Sequence, residues 1–115
     1  MKQNLRIAGL VISILAVLMP IYGAYGKLFN PGMKDYMASH GLEGWTTIIG
    51  LGEALSIILF LIPKTFRFGA LMMSALMGGA IVLHMSHAEA FHMQAIILLL
   101  VWIAAALRDY AFRQA

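Results

Sequence analysis

The sequence contains no cysteine among its 115 residues. This excludes disulfides, iron–sulfur clusters, cysteine-ligated zinc and thiol redox chemistry. Any redox role would need a bound cofactor or a partner protein. Charged residues are also scarce, at 11% of the chain against about 25% in ordinary soluble domains. The formal net charge of +3 is too small to indicate a nucleic-acid partner.

Hydrophobic residues are abundant instead, at 62% of the chain. A soluble domain of this length could not bury that much apolar surface. We therefore expect the lipid bilayer to be the solvent of this chain. Residues 1–115 are interpreted as a single membrane domain. None of its apolar runs alternates with period two, which argues against a β-barrel. Four runs predict membrane-spanning helices, at about 7–26, 45–62, 66–85 and 91–107.

The distribution of basic residues predicts the orientation of these spans. Basic residues collect in short cytoplasmic loops. Six precede the first span, join the second to the third or follow the fourth, and only Lys27 and Lys34 lie in the other connections. The fold predicted is an all-α, integral membrane, up-down four-helix bundle with both termini cytoplasmic. The first run is too long for a signal peptide and lacks a cleavage site, so we interpret it as a retained helix.

The connection between the first two spans contains a candidate surface helix. Asn30 is a plausible cap, Pro31 suits the first helical position, and Gly41 ends the run. We predict a short interfacial helix over about residues 31–39. An ordered loop packed over the bundle remains the alternative.

Small residues form stripes at intervals of three and four. Such stripes mark faces where membrane helices approach each other. On the first span the stripe is Gly9, Ser13, Ala16, Pro20, Gly23 and Lys27, and on the third it is Ala70, Ser74 and Gly78.

Glu53 lies inside the second span, where an ionised side chain costs about 2.5–3.5 kcal/mol. Lys27, which ends the small-residue stripe of the first span, is the best candidate to offset this cost. Either the two residues pair, or Glu53 stays protonated and donates a hydrogen bond. His84, near the outer end of the third span, could face the same place. We therefore predict a polar membrane pocket of Lys27, Glu53 and His84. Its alternative is a buried Lys27–Glu53 pair that only fixes helix register.

The stretch "HMSHAEAFH" holds three of the four histidines. His84, His87, Glu89 and His92 could converge on one metal ion, but the pattern is not a specific metal motif. We do not favour a metal. The preferred interpretation places His84 in the polar pocket and leaves His87 and His92 at the membrane interface.

Three motifs resemble the DoxX-like family of small four-helix membrane proteins. They are "GAYGKLFNPG", "GLGEAL" and "GALMMSALMGGAIVLHM", and the resemblance covers about residues 24–107. Lys27, Glu53 and His84 match the family's polar positions, whereas His40, His87 and His92 do not. DoxX-like proteins are similar to the membrane subunit of a thiosulfate:quinone oxidoreductase. Others are linked to membrane redox complexes, and distant animal relatives act as assembly chaperones.

The resemblance implies a subunit of a membrane redox system that handles quinone, in a prokaryotic cytoplasmic (inner) membrane. A protein partner from a redox complex is implied too, and whether the chain is itself catalytic stays open. One alternative is a non-catalytic scaffold or assembly factor, and a second is a small metal or proton transporter. A homo-oligomer is also left open.

Overall fold

The computed structural model describes residues 2–113, which contain five α-helices and no strand. The helices are α1 (Lys2–Phe29), α2 (Gly32–Ser39), α3 (Thr46–Leu61), α4 (Phe66–Ser86) and α5 (His92–Arg113). The all-α prediction is confirmed, and an apolar helix coincides with each predicted span. α1 and α5 extend past their predicted bounds because the charged residues flanking the apolar runs continue the helices.

Three of these helices, α1, α4 and α5, are long and apolar enough to cross a membrane. α3 is also apolar but has only 16 residues. It ends early because Ile62 precedes Pro63 and takes an extended conformation, with φ −77° and ψ 128°. The proline ring disfavours helical geometry in the residue before it.

The four apolar helices enclose one core. α1 packs against α3 and α5, and α4 packs against the same two helices. Large apolar side chains also cover the outer faces: Leu71 is 70% exposed and Leu99 is 54% exposed. So much exposed apolar surface indicates a lipid environment. The buried cluster comprises Ala16, Val17, Ile57, Phe60, Met73, Met77, Ile97, Val101 and Ala104.

The small-residue stripe of α1 is a contact face, as predicted. Gly9, Ser13, Ala16 and Pro20 are buried, and Gly23 is half-buried. At Gly9 an added Cβ would lie 2.7 Å from Cγ of Arg108. The absence of a side chain there lets α5 place an arginine against α1.

The stripe predicted on α4 is a contact face, but not the closest one: Ala70 packs against the core, and Oγ of Ser74 accepts a hydrogen bond from Nε1 of Trp102 in α5 at 2.9 Å. Ala70, Ser74 and Gly78 are half-buried, and a Cβ at Gly78 would meet nothing within 4 Å. The close approach is instead at Gly69, where a Cβ would overlap the backbone of Phe60 in α3. The buried face of α4 therefore lies one residue away from the predicted stripe, and Met73 and Met77 fill the core beyond it.

The helix predicted over residues 31–39 is confirmed as α2. Oδ1 of Asn30 accepts a hydrogen bond from the Gly32 N–H at 3.0 Å, and Pro31 already has helical dihedral angles. At the other end Gly41 has φ +79°, and the Leu42 N–H bonds back across the last turn. This is a Schellman ending, which needs a residue that tolerates positive φ.

Candidate functional site

Lys27 and Glu53 form an ion pair between α1 and α3. The Nζ–Oε1 distance is 2.8 Å, and the side chains are 15% and 9% exposed. Gly50, one turn before Glu53, makes the pair possible: a Cβ there would lie 2.9 Å from Cβ of Lys27. Lys27, the residue that the sequence offers to offset the charge of Glu53, is therefore its partner, and the contact depends on a glycine that lets the two helices approach.

The second carboxylate oxygen of Glu53, Oε2, also faces α1. Gly23 lies beside it, and an added Cβ would be 3.3 Å from Oε2 and 3.6 Å from Nζ of Lys27. A side chain at Gly23 would therefore crowd both charges of the pair.

His84 contacts other groups than this pair. Its Nδ1 lies 2.7 Å from the carbonyl oxygen of Ala80 in its own helix, and its Nε2 lies 3.5 Å from Nε2 of Gln94 in α5. In the described part of the chain it forms no hydrogen bond or ion pair with Lys27 or Glu53. The structure therefore joins two of the three predicted pocket residues directly, and the pocket of three stays a prediction.

The histidine-rich stretch provides one end of a contact with α2. Nε2 of His40 lies 2.8 Å from Oε1 of Glu89, and the His40 ring packs on that of His87 with centroids 4.5 Å apart. Ala88 has φ +55°, and the Glu89 N–H bonds to the carbonyl of His84 at 2.8 Å. This turn aims Glu89 at α2. We refer to the side chains of Tyr36, His40, His87 and Glu89 as the outer latch, after the face on which the sequence predicts them.

Among the described residues, no three His, Asp or Glu side chains are grouped so that they could hold a metal ion. Glu89 pairs with His40, which is 49 residues away in sequence. His92 stacks on its neighbour Phe91, with ring centroids 5.4 Å apart. The histidine-rich stretch thus contacts the end of α2. The spacing of residues within the stretch did not indicate that His40 takes part in this contact.

The outer latch has perturbed pKa values. Hydrogen bonding to Glu89, then to the Tyr36 carbonyl, raises the pKa of His40 above its usual 6.5. The same bond to His40 lowers the pKa of Glu89 below its usual 4.5. His40 therefore stabilises the latch in full below about pH 6.5 and ceases to do so as the pH rises through its raised pKa. Glu89 stabilises it above about pH 4.5, an effect lost as the pH falls through its lowered pKa.

Arg108 is a buried polar residue that the sequence reasoning missed. The predicted fourth span ends at residue 107, which places Arg108 among the basic residues that follow it, but the residue lies inside α5 and is 6% exposed. Its Nη1 donates to Oγ of Ser13 at 3.1 Å and to the Phe60 carbonyl, and its Nη2 lies 3.4 Å from the Leu61 carbonyl. These carbonyls end α3, where the helix dipole favours a cation. Arg108 thus caps α3.

One sequence signal could have found Arg108. The buried positions of α5 are Ile97, Val101, Ala104, Arg108 and Ala111, at intervals of four, three, four and three. That period places the arginine on the core-facing side of the helix. Its nearness to the end of the apolar run concealed this position.

Comparisons of the chain with protein-family models, curated proteins and solved structures found no match. The resemblance to DoxX-like proteins is therefore carried by the three motifs alone, and the site is interpreted from its own geometry.

Proposed function

We propose that the chain is an integral membrane protein in which α1, α3, α4 and α5 cross a prokaryotic cytoplasmic membrane as an up-down four-helix bundle. Both termini are then cytoplasmic, and α2 lies on the outer surface. Three observations support this arrangement: the exposed apolar faces, the three helices of spanning length, and the collection of six basic residues at one end.

Within this bundle we propose that Lys27 and Glu53 bind the head group of a quinone, as a subunit of a membrane redox system. The observation that carries this proposal is the Lys27–Glu53 ion pair, which lies beside a glycine. Lys27 has ammonium donors beyond the one that faces Glu53, and at Gly23 no side chain covers Oε2 of Glu53. A donor and a proton acceptor side by side fit the carbonyl oxygens of a quinone.

Each residue would have a separate task at such a site. Lys27 would donate a hydrogen bond to a carbonyl oxygen, while Oε2 of Glu53 would hold or release a proton. A bound quinone supplies two-electron, two-proton carrier chemistry. Since the chain has no cysteine, the electrons would come from a bound cofactor or from a partner protein. The resemblance to the DoxX-like family points to the same chemistry.

The test is to purify the protein from native membranes in a mild detergent and to quantify extracted quinone per chain. We expect stoichiometric quinone in the wild type, a loss of about tenfold or more in Glu53→Gln, and no loss in Glu43→Gln. Glu43 is exposed in the loop before α3, so it controls for the same chemical change outside the pair. Equal quinone content in Glu53→Gln and in wild type would contradict the proposal.

A scaffold or assembly factor is the second candidate, and the mutual neutralisation of Lys27 and Glu53 favours it. Two charges that satisfy each other can fix helix register without any chemistry. A protein partner recovered without quinone would support this reading. A transporter is less well supported. It would need polar groups that continue a path inward from Glu53, and the hydroxyls of the candidates Ser56 and Ser74 both donate to carbonyls of their own helices.

A further inference from the structure

A cleft of about 260 Å³ lies at the end of the molecule opposite the outer latch. α1 contributes Arg6 and Leu10, α4 contributes Phe66, and α5 contributes Arg108 and Phe112. It is smaller than the roughly 300–1,000 Å³ of typical ligand pockets, so its size suits a head group rather than a large ligand. Its walls combine two guanidinium groups with apolar and aromatic side chains, and no acidic side chain lines it.

The charge of Arg108 is not neutralised by the protein. Its hydrogen-bond acceptors are a hydroxyl and two carbonyls, and its guanidinium lies 4.6 Å from the ring centroid of Phe66. Within residues 2–113 no carboxylate pairs with it. Its Nε makes no hydrogen bond there and stays accessible, since that part has no buried side-chain nitrogen without a partner. Buried charges are normally paired.

The surroundings of the cleft are also positive. Arg6 is exposed and has no carboxylate partner in the described chain. Among the described residues, Asp109 is the only acidic side chain at this end, and both Arg67 and Arg113 already bind it, with Nε–Oδ distances of 2.8 and 2.9 Å. Residues 2–113 thus supply no anion to the two guanidinium groups at the cleft.

We propose that this cleft binds the phosphate group of an anionic lipid, with Arg6 and Arg108 holding the phosphate and the apolar walls contacting the glycerol and the start of the acyl chains. Arginine forks match phosphate oxygens in pairs, and basic pockets between membrane helices recognise anionic head groups. Leu10 and Phe112 are exposed on the sides of the helices, so a lipid could enter from the bilayer. The inference does not depend on quinone binding.

The test uses the full chain in detergent, titrated separately with short-chain phosphatidylglycerol, phosphatidylcholine and inorganic phosphate, with bound ligand counted by native mass spectrometry. We expect phosphatidylglycerol to bind more tightly than phosphatidylcholine. Arg6→Gln should weaken it about tenfold, the effect of losing a hydrogen bond to a charged group. The matched control is Arg113→Gln, which removes the same charge at the same end but outside the cleft. Arg6 is the residue to change because it is exposed, whereas replacing Arg108 would also uncap α3.

The outcomes separate the sources of the phosphate. Inorganic phosphate binding as tightly as the lipid, with the same loss in Arg6→Gln, would support the phosphate site but assign it to a free anion. Equal weakening in Arg6→Gln and Arg113→Gln, or no preference for phosphatidylglycerol over phosphatidylcholine, would overturn the proposal. Quinone content is a separate readout, so the two proposals can fail independently.

Discussion

Gly69 is the position where α4 packs most closely on another helix, and Gly69→Ala is the sharpest test of that packing. The new Cβ would overlap N and Cα of Phe60 and lie 2.7 Å from the carbonyl carbon of Leu59. These are backbone atoms, so no rotamer change relieves the overlap and α3 must move. Overpacking of a core costs about 1–3 kcal/mol, and we expect the upper end here. The carbonyl of Phe60 also binds Arg108, so the shift disturbs the α3 cap as well.

The matched control is Gly78→Ala, on the same helix. A Cβ there meets nothing within 4 Å, so it should stabilise the helix by about 0.5–1 kcal/mol. In detergent, thermal unfolding followed by circular dichroism should show Gly69→Ala melting lower than wild type by about 12 °C, at about 4 °C per kcal/mol. Gly78→Ala should melt slightly higher than wild type. If both variants melted at the same temperature, the close contact between α3 and α4 would be refuted.

Three further predictions concern the Lys27–Glu53 pair, the outer latch and the turn before α5. Lys27→Met should leave Glu53 unpaired and lower the free energy of unfolding by about 3 kcal/mol. Adding Glu53→Gln to this variant should recover most of the lost stability. Denaturant titration measures both variants, and equal stability of the single and double variants would contradict the pairing. Hydrogen exchange in α2, corrected for the intrinsic rate, should be slower at pH 6 than at pH 9, because His40 loses its proton as the pH rises through its raised pKa. Glu89→Gln should remove this difference, and a difference that persists would show that the latch is not its cause. Ala88→Gly should raise the melting temperature, since positive φ costs a non-glycine residue about 1 kcal/mol; a lower value would mean that the turn depends on the alanine methyl.

Features that follow from local sequence were predictable. The apolar runs located α1, α3, α4 and α5, and the asparagine–proline start and glycine end located α2. Lys27 as the candidate partner of Glu53 was also predictable, because a lone carboxylate in an apolar helix requires compensation and the small-residue stripe of α1 led to one lysine; the contact itself was not. In each case the physical requirement could be read within one helix or on one face.

Features that depend on how helices meet were not predictable in the same way. Glu89 was grouped with its sequence neighbours His84, His87 and His92, whereas its partner is His40, brought there by the packing of α2. Hydropathy placed Arg108 outside the core. A hydropathy average covers one helix end and takes no account of the hydrogen-bond acceptors that another helix supplies. The closest contact of α4, at Gly69, was not predictable either, since Ala70 and Gly69 are both small and only the approach of Phe60 distinguishes them.

The shortness of α3 has a consequence for the lipid around it. Its 16 residues span about 24 Å at 1.5 Å per residue, less than the roughly 30 Å of a typical hydrocarbon core. Arg108 binds the last carbonyls of α3 and so holds a charged group at the depth where the helix stops. In the proposed bundle this creates a hydrophobic mismatch on one flank only, and the adjacent leaflet should thin there to meet it. The protein would then favour thinner bilayers and impose a lopsided deformation on them, with its steepest part beside the end of α3.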